Sequence, residues 1–297
     1  MKTRKHKVLD HPVLGYFLLI LFVLFVTGVF SRIIDGMILG KLIPGYAIKG
    51  TMLGEEVDQT SGVGNAVGSV VAISIFYLWF RPYFEGMLKK KDILRGLLLM
   101  IPVLVIHWIG SVVSWVQFGT ANILLAFLMA AAPGFSEETA FRGLGVANYM
   151  RKNPTEKGVV KIFWLSSVVF GLVHVSNALA GAPLWVSVVQ AAYAVGVGMA
   201  LGAVYLRTGN LWPTIIAHMS MDFLEFIRAD LGGSGGVMSK MGVGDWITIL
   251  AGAVGIVVGL YLVRPAKREE IVELWKSKFA LAKEEDSPKD VSGNNIV

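Results

Sequence analysis

The chain has 297 residues, of which 55% are apolar and only 16% charged, with a net charge of +6. Counted with Gly and without Tyr, the apolar share is about 64%, against the 45–50% usual for soluble domains. A chain this apolar has too little polar surface to cover a core in water, which excludes an ordinary soluble domain and intrinsic disorder and points to lipid as the solvent. There is no cysteine. Disulfides, thiolate metal sites and cysteine nucleophiles are therefore excluded, leaving Ser, Thr, His, Asp, Glu, Lys and Tyr for any catalysis.

Eight apolar segments follow in order, at about 14–30, 65–80, 96–116, 121–132 continuing past Pro133, 162–173 running on to about 178, 184–206, 211–227 and 246–263. The first is long enough to span and no A-x-A-like site follows it, so it reads as a membrane helix and not as a cleaved leader. The second and seventh are short or interrupted by polar residues. With the N-terminus in the cytosol, residues 1–13, 81–95, 142–161, 207–210 and 264–297 share that side and hold 22 of the 27 basic residues. This is the positive-inside pattern, and it supports an all-α polytopic membrane protein of eight transmembrane helices with both termini cytosolic. The +6 charge is then a matter of orientation and of lipid headgroups. No nucleic-acid partner is expected.

The reading divides the chain into residues 1–120 (helices 1–3, with an external segment 31–64), 121–228 (a core of helices 4–7), 229–263 (a loop and the last span) and 264–297 (a cytosolic tail). The external segment is Gly-rich, with room for an interfacial helix near residues 33–39. Ala194, Gly198 and Gly202 place small residues every fourth position, a spacing that lets helices approach closely. In the tail, Ile271, Leu274, Trp275, Lys278 and Phe279 recur at helical spacing, which predicts an amphipathic helix before a polar, disordered end.

An ionisable group inside a span costs at least a few kcal/mol unless paired or solvated. Here they fall in three clusters. Glu137, Glu138 and Arg142 close the fourth segment. Glu138 and Arg142 are four apart with the acid first, the favourable order for an ion pair. Glu137 points about 100° away, without a local partner. His174 follows Phe170 by one turn in the fifth segment, and His218 precedes Asp222 by one turn in the seventh. Glu225 lies one turn further on. Each cluster has a structural reading: a helix-end charge cluster, a satisfied core histidine, a buried His–Asp hydrogen bond. Depth argues that they meet. Glu137 lies roughly 21 Å from Arg151 and His174 roughly 20 Å from Lys161 along antiparallel neighbours. His218 lies roughly 10 Å past Leu211 and joins them if that helix starts sunk in the bundle. Together they suit an activated water. Glu137 would take its proton, and His174 would orient it or hold it through a metal. His218 with Asp222 would bind the metal or stabilise an oxyanion.

Glu-Glu-x-x-x-Arg, Phe-x-x-x-His and His-x-x-x-Asp, in this order on separate helices, resemble the CPBP family. That family takes in the type II CAAX prenyl endopeptidases and the bacteriocin-processing or immunity-type membrane proteases also called Abi. The resemblance runs over roughly 121–225. It implies an eight-helix intramembrane protease bundle, cleaving a peptide bond of a hydrophobic, lipidated or membrane-embedded substrate near the cytosolic face. It implies Glu137, Glu138, Arg142, His174, His218 and Asp222 as catalytic residues. Whether the chemistry is that of a metalloprotease or of a glutamate protease stays open. In the first case one divalent ion, zinc by preference, would sit on Glu137, His174, His218 and Asp222. Relatives of the eukaryotic enzyme carry Asn where this chain has Asp222, and an ionised Asp cannot donate to an oxyanion. Ligation, or orientation of His218, fits Asp222 better. The expected location is the plasma membrane of a bacterial cell. A non-catalytic immunity or scaffold protein using the same groove is the alternative. A proton-relay transporter fits less well, since no half of the chain repeats.

Overall fold

The computed structural model describes residues 9–43, 48–52, 55–59, 62–80, 92–120, 123–228 and 241–285. Each of the eight apolar segments is a helix. They are α1 (Pro12–Phe30), α2 (Val63–Phe80), α3 (Ile93–Phe118), α4 (Ile123–Glu137), α6 (Glu156–Val173), α7 (Leu184–Thr208), α8 (Trp212–Phe226) and α9 (Val243–Leu262). A short α5 (Ala147–Lys152) completes the run that begins with α4, and the tail forms α10 (Pro265–Glu285). Five helical runs are long and apolar enough to cross a membrane: Pro12–Leu42, Ile93–Phe118, Glu156–Leu179, Leu184–Thr208 and Val243–Leu262. Pro102 and Pro133 sit inside α3 and α4, as membrane helices tolerate.

The external segment departs from expectation. Instead of a separate interfacial helix, Ser31–Leu39 continues α1 as a π-helix and carries the run to Leu42. The cause is Asp35, which is fully buried. Its carboxylate accepts from Ser31 Oγ at 2.9 Å and from the backbone N–H of Gly64 at 3.0 Å, satisfying the open N-terminus of α2. Beyond it, Ile48–Met52 and Glu55–Gln59 pair as a two-stranded antiparallel ribbon, a small exception to the all-α expectation.

α7 runs through the centre, and nearly every residue from Ala194 to Leu206 is buried. Glycines on two sides of α7 allow close packing. Gly196 meets α9 so closely that a Cβ there would overlap the Gly252 carbonyl oxygen. Gly198 faces the other way, and a Cβ on it would lie 3.0 Å from the Phe170 ring and 3.3 Å from an Arg142 nitrogen. The position read as helix packing thus also makes room for a charged side chain. The tail helix docks on the bundle through buried Ile271, Val272 and Trp275. Trp275 Nε1 donates to the Leu206 carbonyl at 3.0 Å, and Arg207 pairs with Glu270 at 2.8 Å. The Phe279 side chain and the polar end beyond residue 285 lie outside the described residues.

Candidate active site

The chain leaves α4 at Glu137 and enters a second π-helix, Glu138–Val146, every residue of which is buried. π-Turns inside α-helices concentrate at functional sites. Arg142 Nη1 reaches Glu138 Oε1 at 2.8 Å, the pair anticipated from the spacing. Both side chains are wholly out of solvent. Attraction between buried charges repays their desolvation only where further bonds satisfy them. Here Arg142 Nη2 donates to the Gly198 carbonyl at 3.3 Å, and its guanidinium lies 4.1 Å over the Phe170 ring.

Glu138 Oε1 also lies 2.9 Å from His218 Nδ1. A carboxylate only accepts, so the imidazole donates from Nδ1. His218 Nε2 faces Asp222 Oδ2 at 3.4 Å, one turn along α8. Glu138, His218 and Asp222 therefore form one chain. His174 caps the end of α6, and its Nδ1 lies 2.9 Å from the Phe170 carbonyl. The carbonyl accepts, so Nδ1 carries the hydrogen and Nε2 keeps a free lone pair when the ring is neutral. Phe170 joins the two histidines, its ring edge-on to His174 at 5.2 Å and to His218 at 5.8 Å.

His174, His218 and Asp222 line one cavity of about 110 Å³. Glu137 is not among its lining residues. Its Oε2 is buried with no hydrogen-bond partner among the described residues, and its charge acts on both His218 and Asp222. Glu138 and Arg142 stand behind His218 as its support. Both His218 nitrogens are engaged. Among the described residues, no three His, Asp or Glu side chains are placed to hold one metal ion. The set Glu137, His174, His218 and Asp222 does not form a cage here, and no step below runs through a metal.

Measured from the last basic residue of each helix (Arg95, Lys161, Arg207 and Arg264), His107 lies roughly 18 Å, His174 roughly 20 Å, Tyr193 roughly 21 Å and Asp245 roughly 28 Å into the bundle. A hydrocarbon core is about 30 Å thick. The cavity lies deep along its helices, counted from their basic ends. His218 reaches it because α8 starts sunk, with Asn210 and Leu211 buried.

Sequence reasoning missed the opposite wall. His107, Glu225, Asp245 and Thr248 line the same cavity. Arg228, one residue past the seventh apolar segment, is fully buried against Asp245 and Glu225. The signal was available for His107, an ionisable side chain inside an apolar segment. Asp245 and Arg228 sat just beyond the segment boundaries and gave none.

Residues 119–224 match the family model described as Type II CAAX prenyl endopeptidase Rce1-like. The matched stretch covers about a third of the chain, from just past α3 into α8. Neither a curated protein nor a solved structure matches it. The Rce1-like domain contains all six predicted site residues and ends just short of Glu225. The family is one of proteases, and with five spanning-length apolar helices it marks an integral membrane protein.

Proposed function

We propose that the protein is an intramembrane endopeptidase that hydrolyses a peptide bond of a hydrophobic, membrane-embedded substrate. All eight apolar helices cross or enter the bilayer, with the basic ends and both termini on the cytosolic side. Glu137 takes a proton from water as its oxygen attacks the carbonyl carbon, and His174 Nε2 orients that water. The proton shared between His218 and Asp222 passes to the departing amine nitrogen as the C–N bond breaks. Glu138 and Arg142 hold His218 in register.

The observation that carries this reading is the convergence of His174, His218 and Asp222 on one cavity, together with a buried Glu137 oxygen that has no partner among the described residues. Three helices contribute, as a built site requires and a helix-end charge cluster does not. The test is Glu137→Gln in purified protein, with cleavage of a hydrophobic peptide read by mass spectrometry. Loss of a general base costs about 10²–10⁴-fold. The expected result is that loss at unchanged membrane level and melting temperature. Full activity in Glu137→Gln together with a dead His174→Ala would move the base to His174. Full activity in both would sink the hydrolase reading.

A further inference from the structure

The cavity has a second polar wall that water activation leaves unused. Ser111 Oγ lies 2.7 Å from Glu225 Oε1 and 3.1 Å from His107 Nδ1. The His107 carbonyl lies 3.0 Å from the same hydroxyl, but the carboxylate is the nearer acceptor and takes the Ser111 proton, so His107 Nδ1 carries the hydrogen that completes the chain. His107 Nε2 is thereby fixed as a bare acceptor. Its side chain is 2% exposed, and Nε2 has no hydrogen-bond partner among the described residues. It lies 3.9 Å from Glu225 Oε1. Thr248 Oγ1, on the same wall, is buried and also has no partner among them. Three carboxylates line the cavity, on Asp222, Glu225 and Asp245, and among the described residues no Lys or Arg does. Arg228 bonds Glu225 and Asp245 without lining the cavity itself.

We propose that this wall binds a protonated amine of the substrate, either a lysine-type side chain or a free amino terminus. The inference rests on the hydrolase reading for its place in the reaction. Two acceptors 3.9 Å apart cannot bond each other, yet both can reach one ammonium nitrogen at ordinary distances of about 2.8–3.0 Å. The methylenes of such a group have Val186, Val189, Ala194 and Val197 to lie against. His218 and Glu225 are seven residues apart on α8, roughly 10 Å. An extended peptide advances about 3.3 Å per residue, so the amine lies about three residues from the bond that is cut. His107, Asp245 and Thr248 lie outside the Rce1-like match and Glu225 one residue past it, so this selectivity belongs to the chain more than to the family.

The test has two arms, both on the full-length protein in detergent. In the first, n-butylammonium chloride, butan-1-ol and sodium butyrate are compared as ligands by intrinsic-fluorescence melting. The amine raises the melting temperature and the other two do not. The shift is lost in Glu225→Gln. It is also lost in Ser111→Ala, which keeps the Glu225–Arg228 contact and carries the test if the first variant fails to fold. In the second arm, N-acetylated hydrophobic peptides carry Lys or norleucine three residues from the cleaved bond. A third peptide presents a free amino terminus at that place. The Lys or the free-terminus peptide is cleaved at least about tenfold faster than the norleucine one, and which of them wins names the source of the amine. Equal shifts for amine and alcohol, or a shift that survives Ser111→Ala, would overturn the subsite. So would cleavage without preference. An amine-specific shift with no cleavage of any peptide would leave the subsite standing and remove the hydrolase.

Discussion

Replacing Arg142 with Met tests whether the buried pair organises the site. The substitution leaves Glu138 wholly buried with its charge uncompensated, its remaining partner being His218. Breaking one side of such a pair costs about 3–5 kcal/mol. The bond to the Gly198 carbonyl and the contact with Phe170 are lost in the same step, so the upper part of that range is expected. At about 2 °C per kcal/mol for a chain of this length, the melting temperature should fall by roughly 6–10 °C. The double variant Glu138→Gln/Arg142→Met removes both charges while the Gln carbonyl can still accept from His218. It should recover most of the stability, because a pair replaced by neutral groups of similar volume is often close to neutral. Intrinsic-fluorescence melting of the three proteins in one detergent measures this. A loss below about 2 °C in Arg142→Met, or a double variant as unstable as the single one, would refute the argument that a desolvated ion pair holds His218.

Gly198→Ala should destabilise by about 1–3 kcal/mol and lower activity, since its Cβ crowds both Phe170 and the guanidinium; melting and peptide cleavage together check it. The tail should stay docked in mild acid. Hydrogen bonds from Lys267 and then Arg207 hold the Glu270 carboxyl down to about 2, from its usual 4.5. A depressed acid contributes stability above its unfolded value and loses it as pH falls through the folded one. Pepsin should therefore spare α10 at pH 4 and cut it near pH 2, and cutting at pH 4 would refute the pairing. Elemental analysis of active protein should find well under one metal ion per chain, because no three of the described donors are placed to hold one ion; a full equivalent lost in His218→Ala would overturn that.

Much of the site was legible because membrane spans make charge conspicuous. In lipid, Glu138 with Arg142 and His218 with Asp222 had no bland explanation at the surface, and four-residue spacing fixed their faces. What stayed hidden was set by contacts distant in sequence. The Glu138–His218 bond crosses 80 residues, and nothing local to Glu138 announces that it supports His218 while Glu137 is left unpartnered. Asp35 looked like an ordinary external acid until its bond to Gly64, 29 residues on, explained the extended first helix. The strands Ile48–Met52 and Glu55–Gln59 are five residues each and only three of those ten residues are Ile, Met or Val, too little apolar pattern to read as a ribbon. The tail's apolar stripe was visible, but whether protein or lipid would cover it depended on the Leu206 carbonyl and the Tyr205 ring, both of which meet Trp275.

The depth of the cavity bears on how fragments would part after a cut. A bond broken level with His174 leaves roughly 20 Å of hydrocarbon between it and the basic face, but only about 10 Å to the other. Thirteen helical residues cover the first distance and about seven the second. The short stub buries too little apolar surface to stay in lipid and would leave into the aqueous phase on the basic-poor side. The long one would remain in the bilayer. Separating membrane pellet from supernatant after cleavage would show two fragments with unequal partition, and the side on which the soluble one appears would report which way the enzyme faces.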